Sequence, residues 1–573
     1  MCRVPTSLTF PAIAAAFPEI PAWPDISFTS FARRRSLFLT WIDGIEAGWA
    51  IPLLLAGFVA VWFVYFVVAY SNGDLHPDVL ETWTLGRSIE WGYAKHPPLM
   101  GWAARAWTTV FPLTNWSFQL LALTNAAIAL WTVDLISRRF VRGDKRFIVL
   151  LLLMLMPIYQ FHAQRFNANA VLLAGWPLAT YCFLRSFETR ELRWAAAAGA
   201  AAALTMLGKY YSVFLLASFA LAAICHPQRR AYFGSLAPWV SIGVGLIALG
   251  PHLYWLVTTG AQPCAYALER HGGKTFDASL VEAVVFVLGA AMLLALPAGL
   301  WALLAGSRLQ NVFRDFRAMN TSLWLLFLVG IGTIIFPAIT AVLLGSDMMV
   351  IWSLQGLFLF VILIVCGASY QIDRERTARL TAFVAGAALF GAVVVAPLHA
   401  AYRSDHPLHE GRNFYQPVAE ELTRQWHAQI GLPLLAVGGD DDLAFAMAFY
   451  SPDHPIYQRS LVNPPLKLPS QAIIDSGWAA LCFGGDEYCA TAMQTIAAGN
   501  PRIVRSEIVL HASLWGQSGA SEHFTAFIVP PPSPTQEPAI APPNPGVAEH
   551  LRALRRIRAH ASMDGLAMDR TTQ

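Results

Sequence analysis

Residues 51–102 read IPLLLAGFVAVWFVYFVVAY and then SNGDLHPDVLETWTLGRSIEWGYAKHPPLMGW. The first part, 51–70, carries no charge and is long enough to cross a bilayer core, which takes about 20 mostly apolar residues. From Gly73 to Trp102 the chain then presents four acids, two bases, two histidines and a Pro-Pro pair. A segment that leaves a membrane and at once gathers titratable groups carries either chemistry or a fold of its own.

The rest of the chain has the same membrane character. Of its 573 residues 56% are hydrophobic and only 13% charged, against roughly a quarter charged in soluble proteins. The mean hydropathy is +0.48. Apolar runs fall near 50–70, 115–137, 146–160, 167–186, 194–208, 210–225, 236–258, 278–304, 322–344, 348–369 and 380–398, which predicts about eleven helices. Bases concentrate in alternate loops. Arg33, Arg34 and Arg35 are followed by Arg138, Arg139, Arg142, Lys145 and Arg146, then Arg185, Arg190 and Arg193, then Arg229 and Arg230. Arg308, Arg314, Arg317, Arg374, Arg376 and Arg379 continue the series. The pattern predicts that these loops are cytoplasmic, and an odd number of spans then places everything after about residue 398 outside the cytoplasm.

Four regions follow: a cytoplasmic leader over 1–47, a membrane domain over 48–398 with an outward loop at 71–104, an α/β domain over 399–529, and a Pro-rich linker and basic tail over 530–573. In the third region PLLAVGG (433–439) and WAALCFGG (478–485) read as buried strands, DLAFAMAFY and DEYCATAMQTIAAG as acid-capped helices, and IVRSEIVLHAS and HFTAFIVP as closing strands. About 130 residues are enough for a separate core. Cys482 and Cys489 stand close enough for a disulfide if the region lies in an oxidising compartment. The seven cysteines show no zinc spacing.

Asp78, set near the end of the first span, suits a general base beside an apolar wall. A helix N-cap can hold together with that role, since Asp after Pro opens a stretch of helical spacing over 79–91 that is expected to lie along the membrane surface. Glu81 and Glu90 read as solvated charges. Lys95 and His96 precede the rigid Pro97-Pro98 strap and suit a phosphate, though a histidine there also serves a structural role. Arg165 stands in YQFHAQRFNANA with His162, Asn167 and Asn169. Lys209, followed by Tyr210, occupies a short hinge between apolar runs, where an ammonium either meets an anion or snorkels to the surface. Arg270 lies in a later outward loop. GGDDD (438–442) reads as a solvated turn.

PDVLETWTLGRSIEWGYAKHPPLMGW resembles the first outward loop of bacterial membrane glycosyltransferases of family 39, the dolichyl-phosphate-mannose protein mannosyltransferase-like proteins related to the aminoarabinose transferase that modifies lipid A. The family pattern runs PDEAYYW, about ten residues, then WGYxDHPPL. Asp78, Trp83, Trp91-Gly92-Tyr93 and His96-Pro97-Pro98-Leu99 fall on it. LTMLGKYYSVFLL resembles the family's LSKYTAVLL and places Lys209 and Tyr210 on its Lys-Tyr. GPHLYW (250–255) resembles a further element. Val79 and Lys95 depart from the pattern, which commonly has acids at both positions.

The resemblance implies the GT-C architecture: a helical polytopic bundle with an outward cavity and a polyprenyl phosphate sugar as donor. It implies inverting transfer to an extracytoplasmic lipid, glycan or protein acceptor, with Asp78 as general base. Lys209, and with it Tyr210, Arg270, Arg165, Lys95 and His96, would serve the lipid phosphate or shape its site. No nucleic-acid partner and no certain cofactor are implied; a divalent metal stays open. The implied location is the bacterial inner membrane, with the N-terminus cytoplasmic and the C-terminal domain periplasmic. Two other functions remain: a lipid or polyprenyl-linked substrate flippase, and a catalytically inactive relative acting in assembly.

Overall fold

A computed structural model describes residues 37–160, 164–406, 412–461, 470–498 and 500–532. Most of the expected leader, His162, and the Pro-rich tail from residue 533 lie outside the described residues. Among the described residues seven helices are long and apolar enough to cross a membrane: Ala50–Ala69, Asn115–Ser137, Ala170–Thr189, Ala237–Thr258, Phe276–Ala305, Thr321–Leu344 and Arg374–Asp405. Leu192–Gly208, Tyr210–Cys225 and Val350–Cys366 are shorter apolar helices. This is a multi-pass helical membrane protein. Trp239, Ile242, Leu246 and Ile247 are exposed along Ala237–Thr258, as expected of side chains solvated by lipid tails.

Small residues let these helices approach. A Cβ on Gly199 would lie 2.2 Å from the carbonyl oxygen of Ser241, whose hydroxyl donates to Ala195 O at 2.8 Å. Close backbone contact of this kind replaces the hydrophobic drive that lipid removes. At the end rich in bases, fully buried Asp134 accepts from Arg138 at 2.7 Å and from Arg146 at 3.0 Å.

The C-terminal region forms a five-stranded sheet from β1 (Ala436–Gly439), β2 (Ile456–Tyr457), β3 (Trp478–Phe483), β4 (Val504–Leu514) and β5 (Gln517–Val529), in the order β2-β1-β3-β5-β4. β1 runs parallel to β2 and β3, while β5 is antiparallel to β3 and β4. Helix Asp441–Tyr450 is capped by Asp440, and helix Glu487–Ala497 by Asp486. Cys482 and Cys489 form a disulfide.

The domain does not keep its core to itself. Leu75, Val79, Leu80, Met100 and Phe118 belong to one apolar cluster with Trp426, Phe449 and Ile528. The 71–104 loop is therefore clamped by the α/β domain. The helix expected over 79–91 runs only Pro77–Gly86, and Trp83 meets Phe449 edge-on at 5.3 Å. Burying one such aromatic contributes about 1.5–3 kcal/mol. Val79 and Leu80 are buried in this cluster, while Ile89 and Trp91, beyond the end of the helix, are exposed.

Candidate active site

Asp78 stands in the first turn of the helix Pro77–Gly86. It is not the cap: His76 caps the helix, its Nδ1 accepting the Asp78 N–H at 3.1 Å. Proline at the first helical position costs no hydrogen bond, because that N–H has no intrahelical partner. The cap frees the carboxylate of Asp78, which is 43% exposed. Its Oδ2 accepts Asn167 Nδ2 at 2.7 Å.

Asn167 is held in turn. Its Oδ1 accepts the backbone N–H groups of Asn169 at 2.9 Å and Ala170 at 3.0 Å. An amide oxygen engaged by donors must turn its NH2 the other way, here toward Asp78. Asn169 Oδ1 accepts from Lys209 Nζ at 2.6 Å. Lys209 follows the helix Leu192–Gly208 in extended backbone, and its ammonium lies 4.4 Å from the centre of the Trp352 ring. Two asparagines at the mouth of the helix Ala170–Thr189 thus hold an acid on one side and a base on the other. Burial lowers Lys209 to about 8, with the Asp78 charge opposing that fall.

His96 completes the group. Burial holds its imidazole below the usual range; Glu81 and Asp78 oppose this, Lys209 and Lys95 reinforce it. It is therefore neutral near pH 7. Glu81 is no solvated charge. Its side chain is 13% exposed, with Lys95 Nζ at 3.4 Å and His96 Nε2 at 3.9 Å. Lys95 also meets Asp441 Oδ2 at 3.4 Å. Burial pulls Lys95 down, but Glu81 and Asp441 outweigh it and hold the ammonium well above its usual range. Its charge is thus answered by two acids of this chain. Glu90 is exposed, as expected.

Tyr210 faces elsewhere. Its hydroxyl meets His252 Nε2 at 3.0 Å, and His252 Nδ1 meets Trp91 O at 2.5 Å. A carbonyl only accepts, so Nδ1 carries the proton and Nε2 accepts from Tyr210. The chain of three fastens the loop to the helix Ala237–Thr258. Arg165 lies two residues before Asn167. Arg270 is exposed on the helix Gln262–His271, one turn past Tyr266, which lies within electrostatic reach of Lys95. Among the described residues neither arginine bonds to Asp78, Lys209 or His96. No three His, Cys, Asp or Glu side chains converge as a metal site among the described residues.

Residues 95–255 match the family model described as dolichyl-phosphate-mannose-protein mannosyltransferase. The chain is 24% identical over 298 residues to the lipopolysaccharide core galacturonosyltransferase RgtB of Rhizobium johnstonii, which covers 50% of this chain and 59% of RgtB. It thus spans less than two thirds of that relative's length. The fold is similar to apo ArnT of Cupriavidus metallidurans at a TM-score of 0.53 and 14% identity, over 84% of this chain and 98% of ArnT. Part of the chain thus resembles membrane glycosyltransferases in sequence, and its fold is similar to that of ArnT.

The two departures from the pattern acquire a physical reading. Val79 is fully buried in the apolar cluster. A carboxylate there would lose its hydration without a partner. Lys95, standing where the pattern commonly has an acid, is matched by Asp441 from a part of the chain the pattern does not cover. Asn167, Asn169, His252, Glu81 and Asp441 are residues of the candidate site that sequence reasoning left without a role. The paired asparagines just before a span were the one available signal.

Proposed function

We propose that the protein is a membrane glycosyltransferase that moves a sugar from a polyprenyl phosphate to a hydroxyl of an extracytoplasmic lipid, glycan or protein acceptor. The observation that carries this is the Asn167–Asn169 bridge, which sets a carboxylate and an ammonium on one site. Asp78 takes the acceptor's proton as its oxygen attacks the anomeric carbon. The bond from that carbon to the phosphate oxygen breaks, and the configuration inverts. Lys209 binds the departing lipid phosphate, where charge grows in the transition state. His96, neutral, shapes the site.

The family description that matches residues 95–255 names a lipid-phosphate sugar donor, and sugars of that type suit a site on the outward side. The Cys482–Cys489 disulfide supports the same orientation, because disulfides persist outside the reducing cytosol. The protein sits in a bacterial inner membrane with the α/β domain in the periplasm. Reporter fusions at residues 225 and 400 are expected inside and outside; the reverse result inverts the topology.

The test of the reaction uses purified protein in lipid, radiolabelled polyprenyl phosphate sugars and a membrane extract as acceptor. Transfer is expected from wild type and not from Asp78→Asn. Equal transfer by both proteins removes Asp78 from the mechanism, and no transfer from any donor overturns the reading.

A further inference from the structure

Lys95 and Asp441 are separated by 346 residues, yet their charged atoms lie 3.4 Å apart. The helix Asp441–Tyr450 lies across the outward loop and meets it at both ends. At its far end Tyr450 OH accepts the Leu75 N–H at 2.9 Å and donates to Asn115 at 2.8 Å. Beside it Phe449 packs on Trp83 and Phe118, and Arg87 donates to the carbonyls of Pro455 and His454 at 2.7 and 2.8 Å. These contacts dock the domain. The near end does something else: it places one carboxylate against the loop's own ion pair.

That carboxylate is fixed. Its second oxygen accepts Tyr457 OH at 2.7 Å. Its side chain is 20% exposed, and that of Glu81 is 13% exposed. Charges so sheltered interact more strongly than a surface pair does. The groups facing Lys95 are Glu81 from the loop helix, Asp441 from the α/β domain, Tyr266 from the helix Gln262–His271, and the Phe445 ring. The groups acting on His96 are Glu81, Lys209, Lys95 and Asp78. Lys95 thus links Asp441 to the surroundings of His96.

We propose that Asp441 is a positioning residue for sugar transfer, acting through Lys95 to hold Glu81 and His96 in register beside Asp78. The inference rests on the transferase reading above. It makes the α/β domain part of the site. With Asp441 neutral, Glu81 is the carboxylate left to hold Lys95, and residues 95–96 lose their ion pair to the α/β domain, while the docking by Arg87 and Phe449 remains.

The test is kinetic and uses the full chain in lipid. Asp441→Asn is expected to keep the thermal midpoint and the donor KM of wild type and to lower kcat about tenfold or more, the scale of a misplaced site. Asp441→Glu restores most of the rate. Tyr457→Phe, a milder change, shifts kcat in the same direction by less. In a Lys95→Met background Asp441→Asn is expected to have no further effect. Multiplying losses, or full activity of Asp441→Asn, overturn the inference. Wild type run alongside separates the two claims. If it transfers no sugar, the reading fails, and the inference is then decided by amide hydrogen exchange over 87–98. Faster exchange in Asp441→Asn supports it, and unchanged exchange overturns it.

Discussion

Asn167 binds Asp78 with its NH2 at 2.7 Å while its own oxygen is held by two backbone N–H groups. The carboxylate is therefore aimed by a side chain that has no freedom to turn. Asn167→Ala removes the aim and leaves the acid. It is expected to lower kcat about ten- to a hundredfold with little change in donor KM, the signature of lost orientation. Steady-state kinetics with a fixed acceptor checks this; a pure KM effect refutes it.

Gly86 presses on the strap that follows. A Cβ there would lie 2.4 Å from the carbonyl oxygen of Gly101, in the helix Leu99–Thr108. Both sides of the contact are backbone, so neither moves cheaply. Gly86→Ala is expected to cost about 1–3 kcal/mol of stability and to reduce transfer by displacing the helix that carries Asp78. Gly57 meets nothing within 4 Å, so Gly57→Ala serves as the neutral control. Equal thermal midpoints for the two variants would refute the argument.

The disulfide closes a short loop between β3 and the helix Glu487–Ala497, at a sequence separation of 7. Loop-closure entropy puts its contribution at about 2–3 kcal/mol. Because the domain shares its core with the 71–104 loop, Cys482→Ser with Cys489→Ser is expected to lower both the melting temperature and the protection of residues 73–98 from exchange. Thiol labelling of unfolded protein is expected to find two more reactive cysteines after reduction. Identical labelling before and after reduction would deny the bond.

The apolar helices were legible because a bilayer imposes one simple demand, long apolar runs. The apolar runs read from the sequence all fall on helices, with the run near 146–160 reduced to Asp144–Met154 and a short turn. The strands of the α/β domain were legible for a similar reason, except β2, whose two residues leave no pattern. The candidate site was legible only in its charged and strap residues. Asp78 and Lys209 stand out because charge beside apolar sequence is costly, and His96 because it precedes the rigid Pro97-Pro98 strap. Asp441 and Glu81 did not, because what makes them site residues is a pairing between distant parts of the chain. Asn167 and Asn169 are uncharged, and their role rests on which way each amide turns, which composition does not encode.

Lys209 gives a dependence on pH whose sign follows from its burial. Its value falls from the ordinary 10.5 to about 8. In the lipid-free protein the ammonium is thus lost as pH rises through about 8, while an unfolded chain keeps it to higher pH; stability gains over that window. A bound lipid phosphate acts the other way, since it favours the charged form. Binding above about pH 8 must then take up a proton, and the affinity for polyprenyl phosphate is expected to weaken by about tenfold for each unit of pH beyond that point. Calorimetric titration with polyprenyl phosphate in two buffers of different ionisation heat measures both the affinity and the proton uptake. Lys209→Arg keeps its charge throughout and is expected to bind with no uptake and little pH dependence over the same range. Lys209→Met is expected to bind weakly at every pH. An affinity for wild type that stays flat from about pH 7 to about pH 9.5 would mean that the lipid phosphate does not sit on this lysine.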